Sequence, residues 1–261
     1  MPTAPDAIIP TGFPSTPAIP QAVMDALGGF TLQNVKTTAG VFYSVASSAD
    51  GTKLVAGEIN GPIYTSTNSG ATWTARDSNR NWGSSASSAD GTKLAAVVFN
   101  GRIYTSTDSG ATWTPRASDR EWIGIASSAD GTKLVATSQE QIYTSTDSGV
   151  TWTARDSVRS WGRVASSSDG TKLAAVVFEG QIYTSTNSGV TWTPRASDRE
   201  WTSIASSADG TKLVAGGSSG QIYVSTDSGV TWTPRGPSQY WVGLTSSADG
   251  TKLAEIGRAH V

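Results

Sequence analysis

Residues 122–155 read WIGIASSADGTKLVATSQEQIYTSTDSGVTWTAR, and close copies of this unit follow one another along the chain. The Asp of its Asp-Gly pair recurs at separations of 40, 40, 39, 40 and 40 residues, at Asp50, Asp90, Asp130, Asp169, Asp209 and Asp249. A period near 40 residues is typical of β-propeller blades. The unit therefore predicts a repeat architecture in which each copy is one supersecondary element.

Within the unit, short alternating apolar segments are separated by turn residues. We predict strands over 122–128, 133–137, 141–146 and 151–155, with turns at Asp130-Gly131 and at Asp147-Ser148-Gly149. Four short strands and their turns use about 40 residues, which is one blade and leaves no room for a helix. The sequence thus predicts an all-β fold, a β-propeller of four-stranded blades.

The number of blades follows from a second period inside the first. Units one, three and five continue as LVA after their Lys, whereas units two and four continue as LAAVVF. This alternation favours an even number, and a sixth unit opens at Trp241 and reaches Leu253-Ala254. We predict six-bladed geometry with an incomplete last blade; five blades plus an unpaired half blade, or seven blades, are the alternatives.

The two ends of the chain differ from the repeat. Residues 1–28 contain six of the eleven prolines and are interpreted as a leader or linker, and residues 29–254 as the propeller. Within the latter, Gly29–Asn34 is expected to form the outer strand of the last blade. Residues 255–261, EIGRAHV, resemble no blade and match the translation of a common sequencing adapter, so a non-native tail is predicted and His260 carries no function. The incomplete blade would then be distorted or covered by a second chain, which suggests a homo-oligomer.

Composition excludes several kinds of partner. Only 15% of the 261 residues are charged, the net charge is −2, and no run of basic residues occurs, so neither nucleic acid nor an anionic membrane is expected. The chain has no cysteine, which excludes disulfides and thiolate metal sites. No segment has the pattern of a signal peptide or membrane helix, so no membrane insertion is expected. The compartment stays open, an extracellular one included, and no cofactor is expected.

The third turn of each unit carries an S-x-D-x-G-x-x-W motif. It occurs with Asp108, Asp147 and Asp227, and with Asn in place of Asp at Asn68 and Asn187. These five copies resemble the Asp-box, or bacterial neuraminidase repeat, of sialidases, other glycoside hydrolases, sortilin-type receptors and photosystem II assembly factors. The resemblance covers Phe30 to Ala254 and implies a propeller fold. Because Asn and Asp both accept hydrogen bonds from turn amides, we interpret the boxes as structural and expect no metal there.

In Asp-box propellers the ligand site lies on the face opposite the boxes, so the resemblance directs attention to the loops that leave strands two and four. Aromatic rings beside Arg and carboxylate groups suit sugar rings and hydroxyls. The ligand-binding candidates are therefore Trp82, Trp122, Trp161, Trp201, Trp241, Arg80, Arg120, Arg159, Arg199, Glu121 and Glu200. On this hypothesis the tryptophans are partly exposed. The structural alternative is that the tryptophans pack between blades and the charges pair at the surface.

Three functions remain in order of preference. The first is a non-catalytic module that binds carbohydrate at several similar sites. The second is a protein-interaction or assembly scaffold similar to the assembly-factor propellers. The third, a sialidase-like glycoside hydrolase, is disfavoured because no differentiated carboxylate pair, arginine triad or nucleophile–base arrangement is found. The partner is accordingly a glycan or a protein, and no catalytic residue is predicted.

Overall fold

The computed structural model describes residues 41–258, and every regular element in that range is a β-strand. No helix that is long and apolar enough to cross a membrane occurs in the described range. The predicted outer strand at Gly29–Asn34 and the leader at 1–28 lie outside the described residues.

The strands form five four-stranded antiparallel sheets and one two-stranded sheet within residues 41–258. Blade one contains β1 (Phe42–Ser47), β2 (Leu54–Glu58), β3 (Ile63–Ser66) and β4 (Thr74–Ala75). Blade two contains β5 (Trp82–Ser87), β6 (Leu94–Val98), β7 (Gly101–Ser106) and β8 (Thr114–Arg120). Blade three contains β9 (Trp122–Ser127), β10 (Leu134–Ser138), β11 (Ile142–Ser145) and β12 (Thr153–Arg155).

Blade four contains β13 (Trp161–Ser166), β14 (Leu173–Val177), β15 (Ile182–Ser185) and β16 (Thr193–Pro194). Blade five contains β17 (Trp201–Ser206), β18 (Leu213–Gly217), β19 (Ile222–Ser225) and β20 (Thr233–Arg235). Blade six has two strands among the described residues, β21 (Tyr240–Ser246) and β22 (Leu253–Arg258). In each complete blade the strands pair in chain order, and the first strand of each blade packs beside the first strand of the next. The fold is the predicted β-propeller with an incomplete last blade.

The end of blade six extends further than the predicted propeller boundary at residue 254. Backbone pairing continues through residues 255–258, where Glu255 pairs with Leu244 and Arg258 with Tyr240. These four residues complete the second strand of the blade. Their foreign origin stays a prediction.

Blades are joined at the Asp-Gly turns by a repeated backbone hydrogen bond. The amide of Ala49 donates to the carbonyl of Ala89 at 2.8 Å, and the same bond links each later pair of blades. The other bonds are Ala89 to Ala129, Ala129 to Ser168, Ser168 to Ala208 and Ala208 to Ala248, at 2.7–2.8 Å. The turn is therefore both a hairpin within one blade and a contact with the next.

The Lys of each D-G-T-K segment completes this contact. A Cβ at Gly131 would lie 2.8 Å from the Cβ and Cδ of Lys93 in the preceding blade, and the glycines of blades two, four, five and six meet a lysine in the same way. Thus each turn glycine leaves space for the lysine stem of its neighbour. The repeat of D-G-T-K along the sequence is explained by packing between blades.

The contact ends at the first blade. Nothing lies within 4 Å of a Cβ built on Gly51, and no backbone bond joins Ala248 to Ala49 within residues 41–258. Val45 is 68% exposed, whereas its counterpart Ile125 in blade three is buried. Blade one therefore presents an open face, and the predicted homo-oligomer through the incomplete blade stays a prediction.

Candidate functional site

The loops that leave the second and fourth strands lie together at one end of the blades. The amide of Phe99 donates to the carbonyl of Asn81 at 2.9 Å, and the amide of Ser218 donates to the carbonyl of Glu200 at 2.9 Å. We call this end the loop face; the Asp-Gly turns and the boxes form the opposite end. Most of the residues that differ between blades lie on the loop face.

The tryptophans predicted to face a ligand are buried. Trp82, Trp122, Trp161, Trp201 and Trp241 are at most 1% exposed. Trp122 packs against Val97 and Ile103 of the preceding blade and against Leu134 of its own. The exposure expected of a ligand site is wrong, and the structural alternative, packing of the tryptophans between blades, is confirmed. Each indole fills the space between two blades and leaves no ring face open to a sugar.

The four candidate arginines stack on tyrosines. Their guanidinium carbons lie 4.5–5.0 Å from tyrosine ring centres, in the pairs Arg80–Tyr104, Arg120–Tyr143, Arg159–Tyr183 and Arg199–Tyr223. Each tyrosine in turn contacts the buried tryptophan of its blade, as Tyr143 does Trp122 at 5.2 Å between ring centres. Cation–π contact of this kind holds the loop onto the blade. Binding of a ligand by these arginines stays a prediction.

The two candidate glutamates are engaged by neighbouring loops. Gln139 Nε2 donates to Glu121 Oε1 at 2.6 Å, and the hydroxyl of Ser218 donates to Glu200 Oε2. Both carboxylates remain exposed to solvent. They connect the loop that leaves the second strand to the loop that precedes the first.

The box carboxylates accept hydrogen bonds from their own turns. In Asp108, Oδ1 accepts from the Ser106 hydroxyl at 2.7 Å and from the Thr112 amide at 2.9 Å, while Oδ2 accepts from the Thr112 hydroxyl at 2.7 Å. Asp147 and Asp227 repeat the pattern. The hydroxyl and amide of Thr151 and the hydroxyl of Ser145 lower the pKa of Asp147 to about 2. A carboxylate used in this way stabilises the turn.

The asparagine boxes keep the same geometry with one bond reversed. Asn68 Oδ1 accepts from the Thr72 amide at 2.9 Å, and Asn68 Nδ2 donates to the Thr72 hydroxyl at 2.9 Å. Asn187 and Thr191 do the same. Because the threonine hydroxyl can donate or accept, both side chains fit the turn.

We expect Asp147→Ala to lower the free energy of unfolding by about 1 kcal/mol, because the Thr151 amide and hydroxyl lose their acceptor. The melting temperature should fall by about 2–4 °C. Asp147→Asn is the matched control and should leave melting nearly unchanged, since Asn68 already occupies the equivalent place. Thermal unfolding followed by circular dichroism measures both; an Asn variant as unstable as the Ala variant would contradict the turn role.

Two exposed apolar side chains on the loop face, Phe178 and Val158, are not among the predicted ligand-binding residues. Phe178 is 52% exposed and Val158 is 73% exposed, and their loops are joined by a bond from the Phe178 amide to the Ser160 carbonyl at 2.8 Å. The equivalent Phe99 instead lies against Tyr43, with ring centres 5.2 Å apart, and over Gly83. Both phenylalanines follow the buried LAAVV run of a second strand, which is the sequence signal that marks them.

Two small cavities lie between the blades in the described part of the chain. These cavities, beside Leu134 and beside Leu173, each have about 10 Å³, which is space for one water molecule at most. Both lie at the end that carries the boxes, where Gly131 and Gly170 line them. Neither could admit a sugar ring.

No protein-family profile and no curated protein matches the chain. Among solved structures, it is similar to the GH74 enzyme of Niastella koreensis, with 26% identity and a TM-score of 0.62 over 77% of this chain and 32% of that one. YCF48 of Cyanidioschyzon merolae has 14% identity and a TM-score of 0.57, over 85% of this chain and 94% of that one. The Swd1 propeller domain of Myceliophteria thermophila has 12% identity and a TM-score of 0.65, over 85% of this chain and 82% of that one.

These likenesses agree with the propeller fold. The chain spans about a third of the length of the GH74 enzyme, at 32%. The YCF48 and Swd1 likenesses, at 14% and 12% identity, show the fold alone. The chain is therefore a propeller scaffold, and its activity has to be argued from its own residues.

Proposed function

We propose that this chain is a non-catalytic propeller of the Asp-box kind that binds a protein partner through its loop face. The observation that carries the proposal is the pair of exposed apolar side chains Phe178 and Val158 on adjoining loops. Aromatic and aliphatic groups exposed together on a rigid surface are typical of protein-binding sites.

Burial of the tryptophans is the second support. The aromatic groups expected to stack on a sugar were the five inner tryptophans, and all five are covered by neighbouring blades. Carbohydrate binding thereby loses the residues that suggested it, and protein binding is preferred.

Four carboxylates of the loop face are engaged in structural contacts. Asp119 accepts from Arg102 at 3.1 Å, and Asp77 accepts from Arg80 at 3.4 Å. Glu121 and Glu200 accept from neighbouring loops. A glycosidase needs two carboxylates placed for acid and nucleophile or base, so we propose that these groups support the loops rather than catalyse.

Selection from a random peptide display library on the immobilised full chain tests the proposal. The double variant Phe178→Ser, Val158→Ser should lose the enriched peptides, because the apolar contact is removed. The control double variant Val150→Ser, Val190→Ser changes two valines that are equally open on the box turns of blades three and four, and it should retain them. Equal retention by both variants, or strong binding on a glycan array by the wild type, would overturn the proposal.

A further inference from the structure

Arg163 departs from the repeat at a position that faces the other blades. The first strands of the six blades, β1, β5, β9, β13, β17 and β21, contain one charged residue, and it is Arg163. The equivalent places hold small residues, Ser44, Ser84, Gly124, Ser203 and Gly243. The other five blades form with a small residue at this position, so folding of the repeat does not require the arginine.

The side chain of Arg163 contacts residues of two other blades. Its guanidinium carbon lies 5.4 Å from the ring centre of Tyr43, although Arg163 belongs to blade four and Tyr43 to blade one. Its Nη1 donates to the carbonyl of Ile123 at 3.2 Å. Tyr43 is in edge contact with Phe99. The cation is therefore held beside the ring of Tyr43, which itself contacts Phe99.

Arg163 has no carboxylate partner in the described part of the chain. The ion pairs there join other arginines to carboxylates: Arg80 to Asp77, Arg102 to Asp119 and Arg159 to Asp156. A guanidinium has five N–H donors, and the bond to Ile123 uses one of them. The half-buried Arg163 therefore has N–H donors left, and the planar guanidinium holds them in the paired geometry that fits a carboxylate.

We propose that Arg163 binds a carboxylate carried on an apolar peptide segment of the partner. The inference rests on the proposed function and specifies the chemistry of its ligand. Tyr43 supplies apolar surface beside the cation, Phe99 packs against Tyr43, and Phe178 lies exposed on the loop face. Exposed Glu140 and Glu179 on the adjacent loops would repel a strongly acidic polymer, so a single carboxylate is favoured. That group is either a chain end or an Asp or Glu side chain.

Three fluorescein-labelled peptides test this with the full chain by fluorescence anisotropy. The first is Leu-Ala-Leu-Ala with a free terminal carboxylate, the second is its terminal amide, and the third is an amide with Glu in the middle. We expect the wild type to bind one of the two carboxylate peptides at least about tenfold more tightly than the neutral amide. Which of the two binds distinguishes a chain end from an acidic side chain.

The variants assign the preference to Arg163. Arg163→Gln should abolish the discrimination between acid and amide, and Arg163→Lys should keep part of it, because a lysine retains the charge without the fork. Arg102→Gln is the matched control: Arg102 is exposed and already paired with Asp119, so the discrimination should persist.

Several outcomes would overturn the inference. If the wild type binds the acid and the amide peptides equally, the inference is overturned, even if Arg163→Gln fails to fold. If the wild type binds none of the peptides at millimolar concentration, the inference is also overturned. A folded Arg163→Gln protein that still prefers the acid peptide would overturn it as well. If display peptides depend on Phe178 and Val158 but not on Arg163, the proposed function holds and this inference alone fails.

Discussion

Trp122→Ala should destabilise the protein by about 3–5 kcal/mol, which is a large part of the stability of an ordinary domain. The indole is fully buried, lies in edge contact with Tyr143 at 5.2 Å between ring centres, and packs on Val97 and Ile103 of blade two. Its removal leaves a cavity between two blades that neighbouring strands cannot fill. Thermal unfolding and urea unfolding should both show the loss.

Trp122→Phe is the matched control, because blade one carries Phe42 at the same place. The indole N–H of Trp122 has no hydrogen-bond partner among the described residues, so phenylalanine loses area but also removes a buried unsatisfied donor. The expected cost is about 1 kcal/mol, within the range of small core changes. If Trp122→Ala kept its melting temperature while ligand binding fell, the indole would be a binding group and the structural interpretation would be wrong.

Much of the fold could be predicted from the sequence because the repeat carries it. Strands predicted at 122–128, 133–137, 141–146 and 151–155 appear as β9, β10, β11 and β12, with ends that differ by a few residues. The Asp-Gly turns and the box turns mark these ends through residues that tolerate positive φ. One feature of the box was missed: Ser148 also adopts positive φ, at 59°, next to Gly149. Serine seldom does so, and the sequence alone gave no reason to expect it.

The sequence alone could not decide between exposed and buried tryptophans, because a β-bulge changes the face of the strand on which they lie. Between Trp122 and Gly124 the partner strand advances by one residue, from Ser138 to Thr137, so β9 carries an extra residue there. As a result Trp122 and Ile125 contact the same cluster, although strict alternation places them on opposite faces. Arg163 is not among the predicted site residues, although it is the charged residue that breaks the repeat of first strands. Its contact with Tyr43 depends on the arrangement of distant blades.

Gly131→Ala should destabilise the protein more than Gly51→Ala, and the difference measures the contact between blades. Both glycines have nearly the same positive φ, 67° and 69°, so the conformational cost of alanine is similar, about 1 kcal/mol.

At Gly131 the new methyl group would also lie 2.8 Å from the Cβ of Lys93 and 3.1 Å from the Cβ of Ser88, whereas nothing lies within 4 Å at Gly51. Overpacking of this kind adds about 1–3 kcal/mol, so the melting temperature of Gly131→Ala should fall at least twice as far. Thermal unfolding of the two variants side by side gives the comparison. Equal falls in melting temperature would mean that the lysine stem moves aside freely and that the D-G-T-K contact does not hold the blades together. A larger fall for Gly51→Ala would mean that the open face of blade one is covered in solution.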